Sequence, residues 1–155
     1  MPAIVSITYT PHDAPRKSED AYVRIPVKSA QLIADYGIEG DRKGGSPKRQ
    51  LNIMSRETLD ALSQNGLKIA PGQMGEQLIV SGMDVAALNP GDRVQMGDSA
   101  VIEVMEMRNG CARFEQIQGH DPKTLKGQLG IIARVVTSGT IKIGDGVRVL
   151  TPMTS

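Results

Sequence analysis

Cysteine is almost missing from this chain: Cys111 is the only one. A lone thiol cannot close an internal disulfide, nor build a multi-cysteine zinc or iron–sulfur site. Tryptophan is absent, and the other aromatics are one Phe and three Tyr. Charge of either sign is not in excess, with 18 basic against 17 acidic side chains for a net +1. So few rings and so little excess charge argue against a broad nucleic-acid face or a base-stacking platform. Long hydrophobic runs are lacking too. No stretch approaches the ~18 apolar residues of a membrane span, and the first residues lack the basic segment and apolar length of a signal peptide. An unpaired thiol suits a reducing compartment. The expectation is a soluble, cytoplasmic protein without a nucleic-acid or membrane partner.

What is present suffices for one globular domain over residues 1–155. Apolar side chains make up 39% of the 155 residues, and 17 glycines bring the total to about half, at the upper end of ordinary usage. A chain of this size buries about 68–70% of its unfolded surface and needs no covalent staple. The pattern is of short strands. Ile4 to Tyr9 is rich in β-formers, and Tyr22 to Val27 alternates, with Val23, Ile25 and Val27 on one face. Arg49 to Met54, Leu78 to Val80, Arg93 to Met96, Ala100 to Met107, Gly130 to Val136, Thr140 to Ile143 and Val147 to Leu150 read as further strands. Ser55 reads as the N-cap of a short helix with Leu59 and Leu62 on its apolar face and Gly66 as its stop. Cys111 to Gln118 suggests a second short helix. Many short strands between glycine turns predict a mainly-β barrel. Gly91-Asp92-Arg93-Val94 and Gly144-Asp145-Gly146-Val147 resemble one turn used twice.

Two places could carry chemistry. The segment Gly40-Asp41-Arg42-Lys43-Gly44-Gly45-Ser46-Pro47-Lys48-Arg49 sets four cations among flexible backbone. Glycines let successive N–H groups converge on an anion, and arginine offers a bidentate fork to phosphate. Gly40 and Gly45 have P-loop spacing, but Ser46-Pro47 stands where Lys-Ser/Thr is required, so this is not a nucleotide P-loop. A solvated surface turn is the plainer alternative. Cys111 follows Arg108-Asn109-Gly110 and precedes Arg113. Flanking arginines favour the thiolate, the form that attacks or binds metal; Glu106 and Glu115 oppose it, and an inert free thiol is the alternative. His12 and His120, the only histidines, lack a metal-ligand spacing and read as surface residues. Glu76 reads as a carboxylate that orders a glycine turn. The eight methionines read as core filler.

Taken in order, Gly37-Ile38-Glu39-Gly40-Asp41-Arg42-Lys43, Arg49-Gln50-Leu51-Asn52, Pro71-Gly72-Gln73-Met74-Gly75-Glu76-Gln77-Leu78, Gly91-Asp92, Arg108-Asn109-Gly110-Cys111 and Ile143-Gly144-Asp145 resemble the MOSC domain. That domain ends the molybdenum-cofactor sulfurases and also occurs alone in bacteria, and the short stand-alone type is the better likeness. The resemblance runs from about Lys28 to Leu150. It implies a MOSC-like β-barrel of short strands with a few short helices, and a basic cleft ending at one cysteine. It further implies that Cys111 is the molybdenum ligand or sulfur-bearing residue. Arg42, Lys43 and Arg49 would meet the phosphate of the pterin molybdenum cofactor, and Arg108 and Asn109 would flank the cysteine. Asp41 and Glu76 would order the cleft. Many relatives carry His at the position of Lys43 and Pro at that of Gly110; Lys43 keeps a charge for phosphate but gives up an imidazole.

Three functions are compatible with these residues. A cofactor-binding module would hold the molybdenum pterin, as part of a molybdenum-dependent oxidoreductase supplied by an electron-donor protein. A sulfurtransferase-like carrier would accept sulfur on Cys111 as a persulfide from a cysteine desulfurase, since the chain is too short to contain one. A non-catalytic domain would bind a small anion only. The basic loop ranks the pterin first, because an anionic pterin explains it better than a sulfur atom does.

Overall fold

The computed structural model describes residues 2–12, 24–42, 44–45, 50–109, 112–125 and 127–150, with residues 112, 113, 116 and 122 described by their backbone alone. The fold is mainly β. The strands are β1 (Ala3–Tyr9), β2 (Ile25–Val27), β3 (Ser29–Ile33), β4 (Gly37–Ile38), β5 (Leu51–Ser55), β6 (Leu78–Ser81), β7 (Arg93–Met96), β8 (Ala100–Met107), β9 (Ile131–Thr137), β10 (Gly139–Lys142) and β11 (Val147–Val149). Helix α1 covers Arg56–Ser63 and α2 covers Ala112–Gln118. Two short 3-10 turns lie at Val85–Ala87 and Pro122–Leu125. Among the described residues no helix is long and apolar enough to cross a membrane.

Eight strands form one sheet in the order β11-β7-β8-β9-β5-β6-β1-β2, and β10-β3-β4 form a second. Every neighbouring pair is antiparallel except β5 and β6. A parallel pair needs a crossover, and α1 supplies it. The large sheet curls until β1 meets the turn before β11. Ile4 N–H donates to Asp145 O (2.9 Å), Gly144 N–H to Ile4 O (2.8 Å) and Val147 N–H to Pro2 O (3.0 Å). These bonds cover the β11 end of the sheet, whereas β2 remains its other edge.

Two cores result. Inside the curl lie Ile4, Ile7, Leu51, Ile53, Leu78, Val80, Ile102, Val104, Ile131, Ala133 and Val135. On the outer face Met54, Ile79, Leu59, Leu62, Met74 and Phe114 pack together under the two helices. Strand β5 is buried on both faces because it separates these cores. Three of the methionines, Met54, Met74 and Met96, are core residues, whereas Met107 is exposed.

Some local expectations change. Of the strand expected over Tyr22 to Val27, only Ile25–Val27 is observed, and Tyr22 and Val23 lie outside the described residues. Val27 packs on the core while Ile25 is 44% exposed, since β2 is the last strand of the sheet and, among the described residues, pairs with no further strand on its outer side. Ser55 stands before α1 but does not cap it. Its hydroxyl instead donates to Met83 O (2.7 Å) and accepts from Val85 N–H (2.9 Å). The repeated turn is real. Asp92 Oδ2 accepts from Asn89 N–H and Asp145 Oδ2 from Lys142 N–H, each at 2.9 Å. Each aspartate N–H also donates to the carbonyl three residues back. These two turns launch β7 and β11, which pair with each other.

Candidate functional site

The outer face of the sheet carries a polar strip where the alternation of each strand would put either solvent or oil. Thr8 of β1, Gln77 just before β6 and Asn52 of β5 sit side by side across three strands. Thr8 N–H donates to Gln77 O (2.8 Å), and Gln77 N–H to Asn52 O (2.9 Å). All three are buried. The next position in this row is Ile132 of β9, the register partner of Asn52, and beyond it Glu106 of β8.

The first lid on this strip is the start of the basic loop. Short β4 pairs with β3 and turns the chain at Gly40, so that Asp41 is driven inward with 0% exposure. Asp41 is thus a buried root, while Gly40 and Gly45 of the same segment are exposed. Asp41 Oδ1 accepts from Thr10 N–H (3.0 Å), and Oδ2 accepts from Gln77 Nε2 (3.2 Å). The other end of the Gln77 amide, Oε1, accepts from Asn52 N–H (2.7 Å). A buried carboxylate must be hydrogen-bonded to be tolerated, and these bonds fix the loop at its root. Arg42 follows directly. Its N–H donates to Thr10 O (2.7 Å) and its guanidinium reaches His12 O (3.3 Å).

The second lid is the glycine turn before β6. Glu76 is 1% exposed, and its carboxylate gathers the turn's own backbone, accepting from Gly72 N–H (2.6 Å) and Met74 N–H (3.0 Å). Thr8 Oγ1 donates to Glu76 O (2.9 Å) and Arg24 Nη2 to Gly75 O (2.8 Å). Burial pushes the Glu76 carboxyl above its ordinary value, opposed by the backbone N–H bonds and by the charge of Arg24.

The third lid comes from the end of β8. Arg108 is 7% exposed. Its N–H donates to Gly130 O (3.0 Å), its Nη1 donates to Met74 O (2.5 Å), and its guanidinium lies 5.7 Å from the centre of the Phe114 ring. Helix α2 is bolted to the same turn by Gln118. Its Nε2 donates to Lys68 O (2.9 Å) and Gln73 O (2.8 Å), and its Oε1 accepts from Lys68 N–H (2.8 Å).

A continuous run of contacts therefore joins Arg42 to Arg108, through Asp41, Gln77, Glu76 and Met74. Asn109, next in the chain, is exposed. Lys43, Arg49, Gly110 and Cys111 lie outside the described residues. His12 meets this run at its Arg42–Asp41 end, through its backbone O and through Tyr36, whose Oη donates to Asp41 O (3.2 Å), whereas His120 faces backbone carbonyls outside it. His120 Nδ1 and Nε2 lie 2.9 Å and 3.1 Å from Gln118 O and Asn65 O, and His12 Nε2 lies 3.2 Å from Tyr36 Oη. Among the described residues no three His, Cys, Asp or Glu side chains group as a metal cage. An open groove of about 660 Å³ runs along α1 past Glu57, Thr58 and Met83, away from these residues.

Gln77, Asn52, Thr8 and Arg24 have no role assigned by sequence reasoning. The available signal was weak: Ser6, Thr8 and Thr10 alternate with apolar residues, which ordinarily marks a solvent face.

Asn52 Oδ1 is buried and has no hydrogen-bond partner among the described residues. Buried polar atoms are nearly always paired.

A curled, mainly-β barrel with a polar strip under three lids defines the class. The MOSC domain model matches residues 40–148, and the chain belongs to that family. The crystal structure of the YuaD protein from Bacillus subtilis is similar at a TM-score of 0.74 and 21% identity, with 96% of each chain covered. YiiM from Geobacillus stearothermophilus is similar at 0.73 and 19%, over 97% of this chain and 76% of that one. YiiM from Escherichia coli gives 0.71 and 20%, over 99% and 72%. At these identities the likeness concerns the fold. No curated protein matches the chain.

Proposed function

We propose that this MOSC domain binds the pterin molybdenum cofactor, with Cys111 as the protein's ligand to molybdenum. The observation that carries the reading is the buried Asp41–Gln77 bond at the root of the basic loop. It anchors Arg42 to the sheet, whereas a solvated turn would need no such anchor. The fit of the residues to the group is supported by the unpartnered Asn52 Oδ1, an acceptor in the residue whose N–H bonds Gln77, the partner of Asp41.

In this reading Arg42, Lys43 and Arg49 hold the cofactor's phosphate, which suits guanidinium forks and a loop of backbone N–H groups. Cys111 supplies a soft thiolate. Arg108 acts chiefly by position, since its Nη1 is spent on Met74 O and its plane packs near Phe114. It fixes the chain at Asn109, two residues before the cysteine. When bound, the group supplies two-electron redox chemistry at molybdenum, and a separate electron-donor protein completes the system.

The test is to purify the protein from cells that make the cofactor and to measure molybdenum and pterin. The expected result is both in comparable amounts, with molybdenum lost in Cys111→Ser. Absence of both from the wild type overturns the reading. If the wild type instead gains the mass of one sulfur atom on incubation with a cysteine desulfurase and cysteine, and Cys111→Ser does not, Cys111 is a persulfide carrier. If Cys111→Ser leaves anion affinity and cell phenotype untouched, the domain is a plain anion binder.

A further inference from the structure

We infer that Asn52 is a specificity-determining contact that takes an N–H donor from the ligand, so that the site selects a nitrogen heterocycle carrying an amide-like or amino edge over a bare oxyanion. The inference rests on the cofactor reading and narrows it to one edge of the pterin, the 2-amino-4-oxopyrimidine edge.

The argument begins with the strip across the outer face. Of its three polar side chains, two are committed within the protein. Thr8 Oγ1 donates to Glu76 O, and the Gln77 amide is bonded at both ends, to Asn52 N–H and to Asp41 Oδ2. Asn52 differs. Its backbone is fully used, with N–H given to the side-chain Oε1 of Gln77 and C=O receiving Gln77 N–H. Its side-chain oxygen, in a residue only 6% exposed, has no partner among the described residues. The neighbour across the ladder, Ile132, carries no polar side-chain atom that could serve it.

An unpaired buried carbonyl is a standing cost that an apolar residue of like volume would avoid. Leucine would fit this position by pattern, since Met54 and Ile79 on the same face join the outer core. The oxygen makes sense if a partner arrives with the ligand. A carbonyl only accepts, so the partner must donate. A molybdate dianion, or the dianion of a phosphate monoester, presents acceptors alone and would meet this oxygen with repulsion. A pterin offers ring N–H and exocyclic amino donors on one edge, while its phosphate is carried elsewhere on the molecule.

Asn52→Leu tests this, with Asn52→Ala as a second variant should leucine prevent folding. Three quantities are read: pterin per protein after purification from cofactor-making cells, binding of inorganic phosphate, and the Tm of the ligand-free protein. The expected result is about tenfold less pterin retained, unchanged phosphate binding, and an equal or higher ligand-free Tm for Asn52→Leu. Such a split is one that loss of a structural bond would not give. Wild-type pterin content retained in the variants overturns the Asn52 assignment and leaves the cofactor reading standing. Weakened phosphate binding, or a marked fall in ligand-free Tm for Asn52→Leu, also overturns it, by making the oxygen an anion-site or structural group. A wild type that holds no pterin overturns both.

Discussion

The side-chain amide of Gln77 spans from the buried carboxylate of Asp41, 3.2 Å from Nε2, to the edge of β5, where Oε1 accepts from Asn52 N–H at 2.7 Å. One residue thereby ties the root of the basic loop to the sheet. Gln77→Leu should leave a carboxylate oxygen and a backbone N–H unpaired in the interior. The expected cost is about 2–6 kcal/mol, taking roughly 1–3 kcal/mol for each orphaned group, read as a fall in the urea midpoint.

Glu76 sets a pH dependence. Burial raises its folded-state value above the ordinary carboxylate value of about 4.3. The folded protein then holds the Glu76 proton more tightly than the unfolded chain does. Glu76 stabilises the fold most below the unfolded value, and that contribution declines as pH rises through the folded value. Relative to Glu76→Gln, the wild type should lose stability as pH rises from ~4 through this window. Denaturant titrations at a series of pH values check this; a wild type that gains stability over the variant there would contradict it. Glutamine accepts through one oxygen and so loses one of the two N–H bonds from Gly72 and Met74. That adds a pH-independent offset, which the slope separates.

Arg108→Lys should not behave as a conservative change. Lysine keeps the charge but lacks the guanidinium that donates to Met74 O from Nη1 while its carbon sits over the Phe114 ring. A loss of about 2–3 kcal/mol is expected from the broken buried bond, and a Tm unchanged from the wild type would refute it.

Gly130 and Gly91 separate close contact from backbone strain. Both have positive φ, +85° and +94°. A Cβ at Gly130 would collide with Ile53 O, a ladder carbonyl that cannot swing aside, whereas nothing lies within 4 Å of a Cβ at Gly91. Gly91→Ala should cost about 1–2 kcal/mol from the left-handed backbone alone. Gly130→Ala should cost clearly more, or fail to fold. Equal unfolding midpoints for the two variants would contradict the model of the 130 turn.

Much of the fold was legible in the chain. Ala100 to Met107 shows β-formers with acidic breaks, and it is β8 with the same limits. Leu59 and Leu62, three apart, are the buried face of α1. The turn aspartates Asp92 and Asp145 followed from their spacing to glycine. These features depend on neighbours in sequence, so local propensity decides them. The basic loop and, far from it in the chain, the single cysteine were also visible as composition, and the MOSC likeness as an ordered set of short motifs.

The sequence by itself determined the strand-rich class, the place of the glycine turns, the short α1 and the family. Only the tertiary structure decided which polar residues go inside. Ser6, Thr8 and Thr10 alternate as a wet face would, and Asp41 stands in a run of charges, yet all four are buried. The reason is that burial depends on what is folded over a face, and that cover comes from far away in the chain. The glycine turn holding Glu76 and the loop root at Asp41 close over β1 and β5 through bonds between residues more than thirty positions apart. No local pattern encodes such a meeting, and it alone turns a polar face into a buried strip with Asn52 left to receive a donor.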